Sequence, residues 1–409
     1  MKNKSNETVT EQQKKSSPVY YQVLKILYAP HKAFKEITQN QKYIGPVLIL
    51  ILFVATSAGY GYAILSRSYI EQTLPKVDSS AGHFDAWTEN ANLWSSPSGA
   101  NVRENFTDFI NGSYYGNRSI EFSMLNSPQI SMQLMNIGQI NCSGPDGYKN
   151  VSLRAKLVDP QNTNFSSAFI YLFSGNTSNY SYYNLTDTFS NSTANVWYNL
   201  TIPLAEGNWA NNSTPADWSN ITGLKLEFSW PQNVNSTMLI DGLFFRGVFQ
   251  GPSESAAASY LFSDSVSSLF QFVIRWIFIS GILFLAVKAL GAKTPWKPIL
   301  ISVGFALIIL VVQTIANTIA VSTLITLHYP LEFLGGTSAE TTAAFNQIIS
   351  QTSVFYTVTA YIQMAVLIWI IALCAIATRL LVQFSWIKSA VAGMVAVAAT
   401  YFIGLILGI

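Results

Sequence analysis

The chain has 409 residues, of which 50% are hydrophobic and only 11% are charged, and its net charge is +2. Soluble domains carry roughly 25% charged residues, so this composition excludes an ordinary soluble protein. The near balance of charge gives nucleic-acid binding no electrostatic basis. We therefore expect the lipid bilayer to be the main partner of the chain. We expect no nucleic-acid partner.

The first 42 residues divide into two parts. Residues 1–17 are polar and almost free of apolar side chains, which predicts a disordered cytoplasmic tail. Residues 18–42 predict two short amphipathic helices separated by Pro30. We expect these helices to lie along the membrane surface and to offer a site for a cytosolic partner. Their apolar positions are Tyr20, Val23, Leu24, Leu27 and Tyr28 in the first helix, and Ala33, Phe34 and Ile37 in the second.

Five apolar segments predict five transmembrane helices. The first, within 43–66, contains a charge-free run from Pro46 to Leu65, which as a helix is about 30 Å long and crosses a bilayer core. We interpret it as a retained signal anchor. The other four lie within residues 259–409, at 266–290, 298–327, 351–378 and 389–409.

Basic residues predict the orientation of these helices. They precede the first helix and occupy the short connections at 288–297 and 379–388, whereas the connection 328–350 contains Glu332 and Glu340 and no base. Basic loops stay in the cytoplasm. We therefore expect a plasma-membrane protein with a cytoplasmic N-terminus and an extracytoplasmic C-terminus.

Residues 67–258 form a polar block between the first two helices, and this block is dense in glycosylation motifs. An Asn-x-Ser/Thr triplet is an acceptor when it lies in a solvent-facing loop outside the cell; the opposing interpretation is that loops are simply rich in Asn, Ser and Thr. We favour glycosylation because the fifteen triplets are more than threefold the number that this composition gives by chance. We expect an archaeal-like surface protein, because a large external domain without a disulfide is unusual for the endoplasmic reticulum route. The candidate asparagines are Asn105, Asn111, Asn117, Asn141, Asn150, Asn164, Asn176, Asn179, Asn184, Asn191, Asn199, Asn211, Asn212, Asn220 and Asn235.

The same block predicts an extracytoplasmic all-β sandwich. Short apolar or alternating segments are separated by Gly, Pro, Asn and Ser, as in a sheet with one buried face. The predicted strands include 130–135, 151–158, 168–173, 224–230 and 237–245, with 168–173 read as a continuous apolar strand. We expect Cys142, in this block, not to pair with Cys374 of the fourth membrane helix.

Residues 23–37, followed by Gly45-Pro46 at the entry to the first membrane helix, resemble the start of a Yip domain. The resemblance covers 18–66 and 260–409, and it implies a cytosolic N-terminus with five membrane helices. Eukaryotic members of this family assist vesicle trafficking through small GTPases. The long block after the first helix departs from the family, which has a short loop there.

The end of the inserted block resembles the final strands of galactose-binding-like jelly rolls found in carbohydrate-binding modules. The segments that carry this resemblance are 197–203, 217–228 and 238–245. It implies sugar recognition by exposed aromatic rings. Most tryptophans of the block are expected in the core, and Trp94 and Trp209, in polar loops, are the glycan-binding candidates. Asp241 suggests a structural calcium site as in some such modules, but a solvent-facing turn aspartate is the favoured interpretation.

Catalytic chemistry has no support in the sequence. There is no metal-binding spacing of His, Cys and carboxylates, no phosphate-binding loop and no hydrolase motif. We expect no enzyme activity, no metal and no cofactor.

Polar residues inside the membrane segments are functional candidates by default. Gln313 and Asn317 share a face of the third helix, and Gln363 lies on the fourth. They are expected mainly to bond between helices, and alternatively to line a solute path. Arg275 is expected to extend outward, toward Glu332 or Glu340.

The sequence thus predicts a five-helix membrane bundle with a jelly-roll-like β-sandwich inserted between helices 1 and 2. The leading functional hypothesis is a non-enzymatic Yip-type protein whose glycosylated sandwich binds glycan or a surface protein and organises or scaffolds the membrane. The alternative is a small-solute transporter or channel that uses the polar faces of the third and fourth helices.

Overall fold

The structure, a computed structural model, describes residues 18–77, 85–161, 165–190, 193–204, 206–252 and 257–407. The predicted disordered tail at 1–17 lies outside these ranges. The chain forms two compact units. The helical unit extends to Arg67 and includes Pro252–Ile325 and the chain from Thr352 onward; the β domain consists of Ser68–Gly251 and Thr326–Gln351.

Ten α-helices are present in the described ranges. In chain order they are α1 (Val19–Tyr28), α2 (Pro30–Gln39), α3 (Ile44–Leu65), α4 (Thr186–Ser190), α5 (Ala257–Ala289), α6 (Trp296–Ala306), α7 (Ile308–Ser322), α8 (Leu331–Gly335), α9 (Ser338–Val382) and α10 (Trp386–Leu407). Five spans in this part of the chain are long and apolar enough to cross a membrane: α3, α5, the α6–α7 pair, α9 and α10. The predicted number of membrane helices is confirmed.

The two N-terminal helices pack on the bundle. Ala33, Phe34 and Ile37 of α2 are buried in the hydrophobic core of the helical unit, so protein, not lipid, covers the predicted apolar face. In α1 the core-facing side is Val23 and Ile26. Tyr20, Leu24 and Tyr28 are instead exposed along the opposite side, because only one side of so short a helix can meet the bundle.

The α6–α7 span is the centre of the bundle. Its most apolar window is 72% buried, whereas the other four spans are between 22% and 39% buried. The helix is interrupted at Leu307, which is itself fully buried. Gly393 of α10 allows a close helix contact, since a Cβ there would lie 3.0 Å from the carbonyl oxygen of Ile371 in α9.

The described part of the β domain contains eleven strands. They are β1 (Ser68–Leu74), β2 (Trp94–Ser95), β3 (Asn101–Asn105), β4 (Ser119–Ile140), β5 (Asn150–Asp159), β6 (Ser167–Ser174), β7 (Asn176–Asn184), β8 (Tyr198–Pro203), β9 (Ala210–Asn211), β10 (Ile221–Gln250) and β11 (Leu327–Tyr329). The predicted all-β character is confirmed. The predicted strands 224–230 and 237–245 are two parts of the single strand β10.

Strands β4 and β10 organise the sheet. They pair antiparallel from Ile221 opposite Ile140 to Ile240 opposite Ile120. The first half of β10 also pairs with β6, which continues through β7 to β9; the second half pairs with β5, which continues to β8. Two groups of strands therefore share one central pair. The register shifts between Ser229 and Val234, beside Pro231, which has no N–H for the ladder.

One buried cluster holds both strand groups together. It combines Ile170 and Phe228 of the first group with Leu153 and Ile240 of the second. Both free cysteines are buried: Cys142 belongs to this cluster and Cys374 to the core of the helical unit. They are not bonded to each other, as expected.

Residues 326–351, expected to be only a connecting loop, are part of the β domain. Strand β11 pairs in parallel with β1. Arg246 binds Glu71 through Nη2–Oε2 at 2.6 Å and Glu332 through Nη1–Oε1 at 2.5 Å, and Arg154 forms an ion pair with Glu340. Glu332 and Glu340 thus bind arginines of the β domain, and the expectation that they meet Arg275 is wrong.

Removal of the Arg246 side chain should loosen the segment 326–351. In Arg246→Met, the carboxylates of Glu71 and Glu332 lose their cation in a largely buried site, and breaking such a pair costs about 3–5 kcal/mol. We expect hydrogen–deuterium exchange of the full-length protein to accelerate in residues 327–335. Arg103→Met is the control, because the Arg103 side chain is 64% exposed and exposed pairs contribute about 1 kcal/mol or less. Equal exchange in both variants would contradict this role of Arg246.

Candidate functional site

The two predicted glycan-binding tryptophans are buried. Trp94 is 6% and Trp209 4% exposed, and both belong to the core of the β domain. Trp94 Nε1 donates to the carbonyl oxygen of Trp87 at 2.7 Å, and Trp209 Nε1 to that of Pro203 at 2.8 Å. The expectation that these rings are exposed is wrong, because their polar neighbours in sequence lie at the surface while the rings themselves fill the interior.

A row of aromatic side chains instead lies on the outer side of β6 and β7. Ala168, Ile170 and Leu172 of β6 point into the core and are fully buried, so Phe169 and Tyr171 must point to the opposite side. Both are partly exposed. Tyr182 of β7 lies directly opposite Tyr171 in the register, and Tyr180 lies opposite Phe173. We call Phe169, Tyr171, Tyr180 and Tyr182, with Lys225 and Glu227 of β10, the tyrosine face.

The rings of the tyrosine face contact one another. Tyr171 is 5.5 Å from Tyr180 and 5.9 Å from Tyr182 between ring centroids, and Phe169 is 5.8 Å from Tyr182. These separations are typical of favourable aromatic pairs. The strands fix each ring through the pleat, so the face is formed before any ligand arrives.

Polar groups border the rings on one side. Lys225 lies beside Tyr171 in the register, and its Nζ is 4.0 Å from the centroid of that ring. Lys225 Nζ also binds Glu227 Oε2 at 2.8 Å, and the Tyr171 hydroxyl donates to Glu227 Oε1 at 3.2 Å. Burial first, and then the negative charge of Glu227, raise the pKa of Tyr171, so its hydroxyl stays protonated.

Each group of the face has a distinct role. Lys225 covers the ring of Tyr171, so this ring has little surface left for a ligand. The role of Tyr171 is therefore mainly to position Glu227 through its hydroxyl. Tyr180 and Tyr182 leave partly exposed ring surface. A ligand with apolar C–H surface and several hydroxyls fits this arrangement, because rings pack against C–H groups while a carboxylate accepts and an ammonium donates hydrogen bonds.

The sequence contained a signal for the tyrosine face. The interpretation of 168–173 as a continuous apolar strand did not use it. Phe169 and Tyr171 alternate with aliphatic residues, and Tyr180 and Tyr182 repeat the same two-residue spacing eleven positions later. Aromatic residues on alternate positions of two adjacent strands share one side of the sheet. Tyrosine, with its hydroxyl, is also better suited than Phe or Ile to a surface in contact with water.

Thirteen of the fifteen candidate glycosylation sites lie in the described ranges, and none of these thirteen is buried. Asn164 and Asn191 lie outside those ranges. In Asn141, Asn176 and Asn184 the side-chain oxygen accepts the N–H two residues later, at 2.9, 2.9 and 2.8 Å. In Asn105 and Asn212 the amide nitrogen itself donates, to Glu121 and to the carbonyl of Ser178.

Asp241 is fully buried, so the interpretation as a solvent-facing turn residue is wrong. It lies near Asp85, which is also fully buried, and the Thr88 hydroxyl bonds to both carboxyls. Backbone N–H groups of Ile110 and Leu243 donate to Asp241 Oδ2 and Asp85 Oδ2, each at 2.7 Å. Calcium takes six to eight oxygen ligands. Among the described residues only Asp85 Oδ1 of this pair lacks a partner, which suits a hydrogen-bonded acid pair better than a calcium site.

The intramembrane polar candidates connect helices. Gln313 Nε2 of α7 donates to Gln363 Oε1 of α9 at 3.3 Å, which brings the two predicted residues together. The hydroxyl of Thr314 bonds to that of Thr56 in α3 at 2.7 Å. Asn317 is not part of this contact, and its Oδ1 is buried without a described partner.

No protein-family model matches the chain, and no curated protein is significantly similar to it. Solved structures similar to the β domain include carbohydrate-binding modules of Clostridium thermocellum. A family 11 module in complex with a β-1,3-1,4-mixed-linked tetrasaccharide is 14% identical, covers 42% of this chain and 94% of its own, and gives a TM-score of 0.27. A family 30 module of a cellulosomal cellulase is 14% identical, covers 37% and 90%, and gives 0.28. An exo-β-agarase is 10% identical, covers 40% and 24%, and gives 0.29.

The buried acid pair should make the β domain less stable as the pH rises. Burial, and for Asp241 also the charge of Asp85, raise the pKa of Asp85 to about 7 and that of Asp241 to about 8. The unfolded chain has pKa values near 4 for these groups. Their stabilising contribution is therefore complete below pH ~4 and is lost as the pH rises through the folded values.

The urea midpoint of the β domain in the full-length protein should fall between pH ~5 and pH ~8. In Asp241→Asn, which keeps the shape without the acid, the fall should be smaller. A midpoint that falls equally in both proteins would contradict the assignment to this pair. Carboxyl groups with a lowered pKa, such as Glu332 beside Arg246, change stability only at acidic pH. They do not affect the urea midpoint between pH ~5 and pH ~8.

Proposed function

We propose that the protein is a non-enzymatic integral membrane protein whose β domain binds glycan through the tyrosine face. The observation that carries this proposal is the partly exposed pair Tyr180 and Tyr182 beside the fixed carboxylate Glu227 and the ammonium of Lys225. Sugar rings present flat C–H surface and a rim of hydroxyls, which requires both kinds of group within one site. A surface protein is the other class of partner, and it would bury the whole face instead of a strip of it.

The arrangement around the face fits an extracytoplasmic domain of the jelly-roll kind. Two strand groups around one core give the sandwich, and we place it outside the cell with the N-terminus in the cytoplasm. Residues 68–251 and 326–351 belong to one domain, as expected of two connections on the same side of a bilayer. This agrees with the orientation that the basic residues predict.

We assign the helical unit to the Yip type. The support is the packing of α1 and α2, the segment that resembles the family, onto the core of a bundle with five candidate spans. The exposed side of α1, formed by Tyr20, Leu24 and Tyr28, is the proposed surface for a cytosolic partner. The hydrogen bond between Gln313 and Gln363 supports a packing role for these residues over the transport alternative.

Substitution of the stacking rings should weaken glycan binding. We expect Tyr182→Ala and Tyr180→Ala each to reduce affinity by about 1–2 kcal/mol, the usual value of an aromatic contact in an interface. Glu227→Gln should reduce it by removing a charged acceptor. The measurement is isothermal titration of the full-length protein with an oligosaccharide identified on a glycan array.

Phe106→Ala is the matched control, because Phe106 is an exposed ring of the same domain, 59% accessible. It follows β3, which pairs with residues 119–123 of β4, away from β6 and β7. Its affinity should equal that of the unchanged protein. Equal losses in Phe106→Ala and Tyr182→Ala, or no loss in either tyrosine variant, would refute the tyrosine face as the site.

Glycan occupancy should follow the hydrogen bonding of the acceptor amides. Peptide mass spectrometry of the native protein should find Asn141, Asn176 and Asn184 modified, because no described residue accepts a hydrogen bond from their Nδ2 atoms. Asn105 and Asn212, whose Nδ2 atoms are already bonded, should be modified less. Bare asparagines at all five positions would argue against both glycosylation and the extracytoplasmic location.

A further inference from the structure

A cavity of about 250 Å³ lies inside the helical unit. It is lined by α5, α7, α9 and α10, and Leu307, where the third span is interrupted, forms part of its wall. Irregular backbone at membrane depth is tolerated where it is buried in protein or lines a cavity, and interrupted helices commonly mark binding sites. Its polar lining residues are Gln271, Arg275, Gln313, Gln363, Thr400 and Tyr401.

Arg275 is a charged group in this cavity without a counter-ion. Within the described ranges it has no carboxylate partner and no hydrogen-bond acceptor. The preceding acid on the same helix, Asp264, is eleven residues earlier, about 16 Å by helix rise. Glu332 and Glu340 are bound by Arg246 and Arg154. An arginine remains charged in proteins, so an unpaired one among apolar helices favours an anion beside it.

Further hydrogen-bond donors line the same cavity. Gln313 Nε2 donates to Gln363 Oε1, which leaves the Nε2 group of Gln363 without an acceptor among the described residues. The hydroxyl of Tyr401 likewise has no partner in those ranges. Thr400 donates to the carbonyl of Ala396 at 2.8 Å and so can only accept. The cavity thus presents Arg275, the Gln363 amide and the Tyr401 hydroxyl as donors, which suit oxygen atoms of an anion. The side-chain oxygens of Gln271, Gln313 and Thr400 are the acceptors of the same lining.

The rest of the wall is apolar and opens at the surface of the unit. Most of the remaining lining residues are Ile, Leu, Val or Phe. Tyr401 and Leu405, which line the cavity, are also 43% and 63% exposed on α10. An apolar chain that enters beside these residues can therefore continue into the surrounding lipid.

We propose that the cavity binds the carboxylate of a single-chain lipid, a fatty acid, with Arg275 as its counter-ion. The volume corresponds to about eight water molecules at roughly 30 Å³ each, which is room for a carboxylate and the first part of one chain, whose remainder lies in the lipid beside Tyr401 and Leu405. Arg275 pairs with the carboxylate oxygens in a two-pronged contact, and the Gln363 amide and Tyr401 hydroxyl donate to them. This site is independent of glycan binding by the β domain.

The test uses full-length protein in nanodiscs of phosphatidylcholine, titrated with dodecanoate and, separately, with dodecanol. The two probes share a chain and differ in the anionic head. We expect saturable binding of dodecanoate, and dodecanol binding weaker by roughly tenfold or more, as hydrogen bonds to a charged group imply. Equal binding of the two probes to the unchanged protein would overturn the proposal.

Two variants locate the site. Arg275→Gln should weaken dodecanoate binding by roughly tenfold or more, whereas Lys288→Gln, which removes a cation from the same helix outside the cavity, should leave it unchanged. Arg275→Lys, which keeps the charge and loses the two-pronged contact, should bind more weakly than the unchanged protein and more tightly than Arg275→Gln. Loss in Lys288→Gln, or full binding by Arg275→Gln, would refute the site.

A competition experiment decides whether the anionic group comes from a single-chain lipid or from a two-chain phospholipid. Phosphatidylglycerol added to the nanodiscs presents a phosphate on a two-chain lipid. We expect it not to displace dodecanoate from the site. Displacement at lower concentration than unlabelled dodecanoate would overturn the assignment to a single-chain lipid.

Discussion

The antiparallel pairing of β4 with β10 is the interaction on which the β domain depends. This pair runs from Ile221 opposite Ile140 to Ile240 opposite Ile120, and each strand group is built outward from one half of it. Residues of both halves meet in one core, so a shift of register by one residue would turn core side chains outward in both groups at once. Pairing of the first half of β10 with β6 sets Lys225 beside Tyr171, and pairing of β6 with β7 sets Tyr171 beside Tyr182. The tyrosine face is therefore built outward from the first half of β10.

A second constraint is the attachment of residues 326–351 to the β domain. Strand β11 extends the sheet beside β1, and the arginine–glutamate contacts of Arg246 and Arg154 hold the segment from two sides. When one partner of a largely buried salt bridge is removed, the other charge is left unpaired. The loss of folding free energy is then larger than the net stability that the intact pair contributes. Arginines of one connection and glutamates of the other thus hold the two connections between helices together as one domain.

Much of the fold could be predicted from the sequence, because periodicity and charge are local signals. Long apolar runs with few or no charges predicted the five spans, and alternation predicted strands such as 151–158. Whether a given residue faces the core depends on tertiary packing, which the local sequence pattern predicts less well. Tyr20 and Leu24 follow helical spacing and yet are exposed, while Trp94 and Trp209 lie in polar segments and yet are buried. Asp241 is buried and bonded by the Thr88 hydroxyl and the backbone N–H of Ile110, both distant in sequence, which no local pattern indicates.

The central claim is that a glycan lies across β6 and β7 on the outer side of the sheet. Photo-crosslinking of full-length protein with a diazirine-bearing oligosaccharide, followed by peptide mass spectrometry, tests it most directly. The account predicts crosslinks in residues 167–184 and at Lys225 or Glu227, reduced by excess unlabelled oligosaccharide. Crosslinks confined to β5 and β8, in the other strand group, or to β3, which pairs with residues 119–123 of β4, would contradict it.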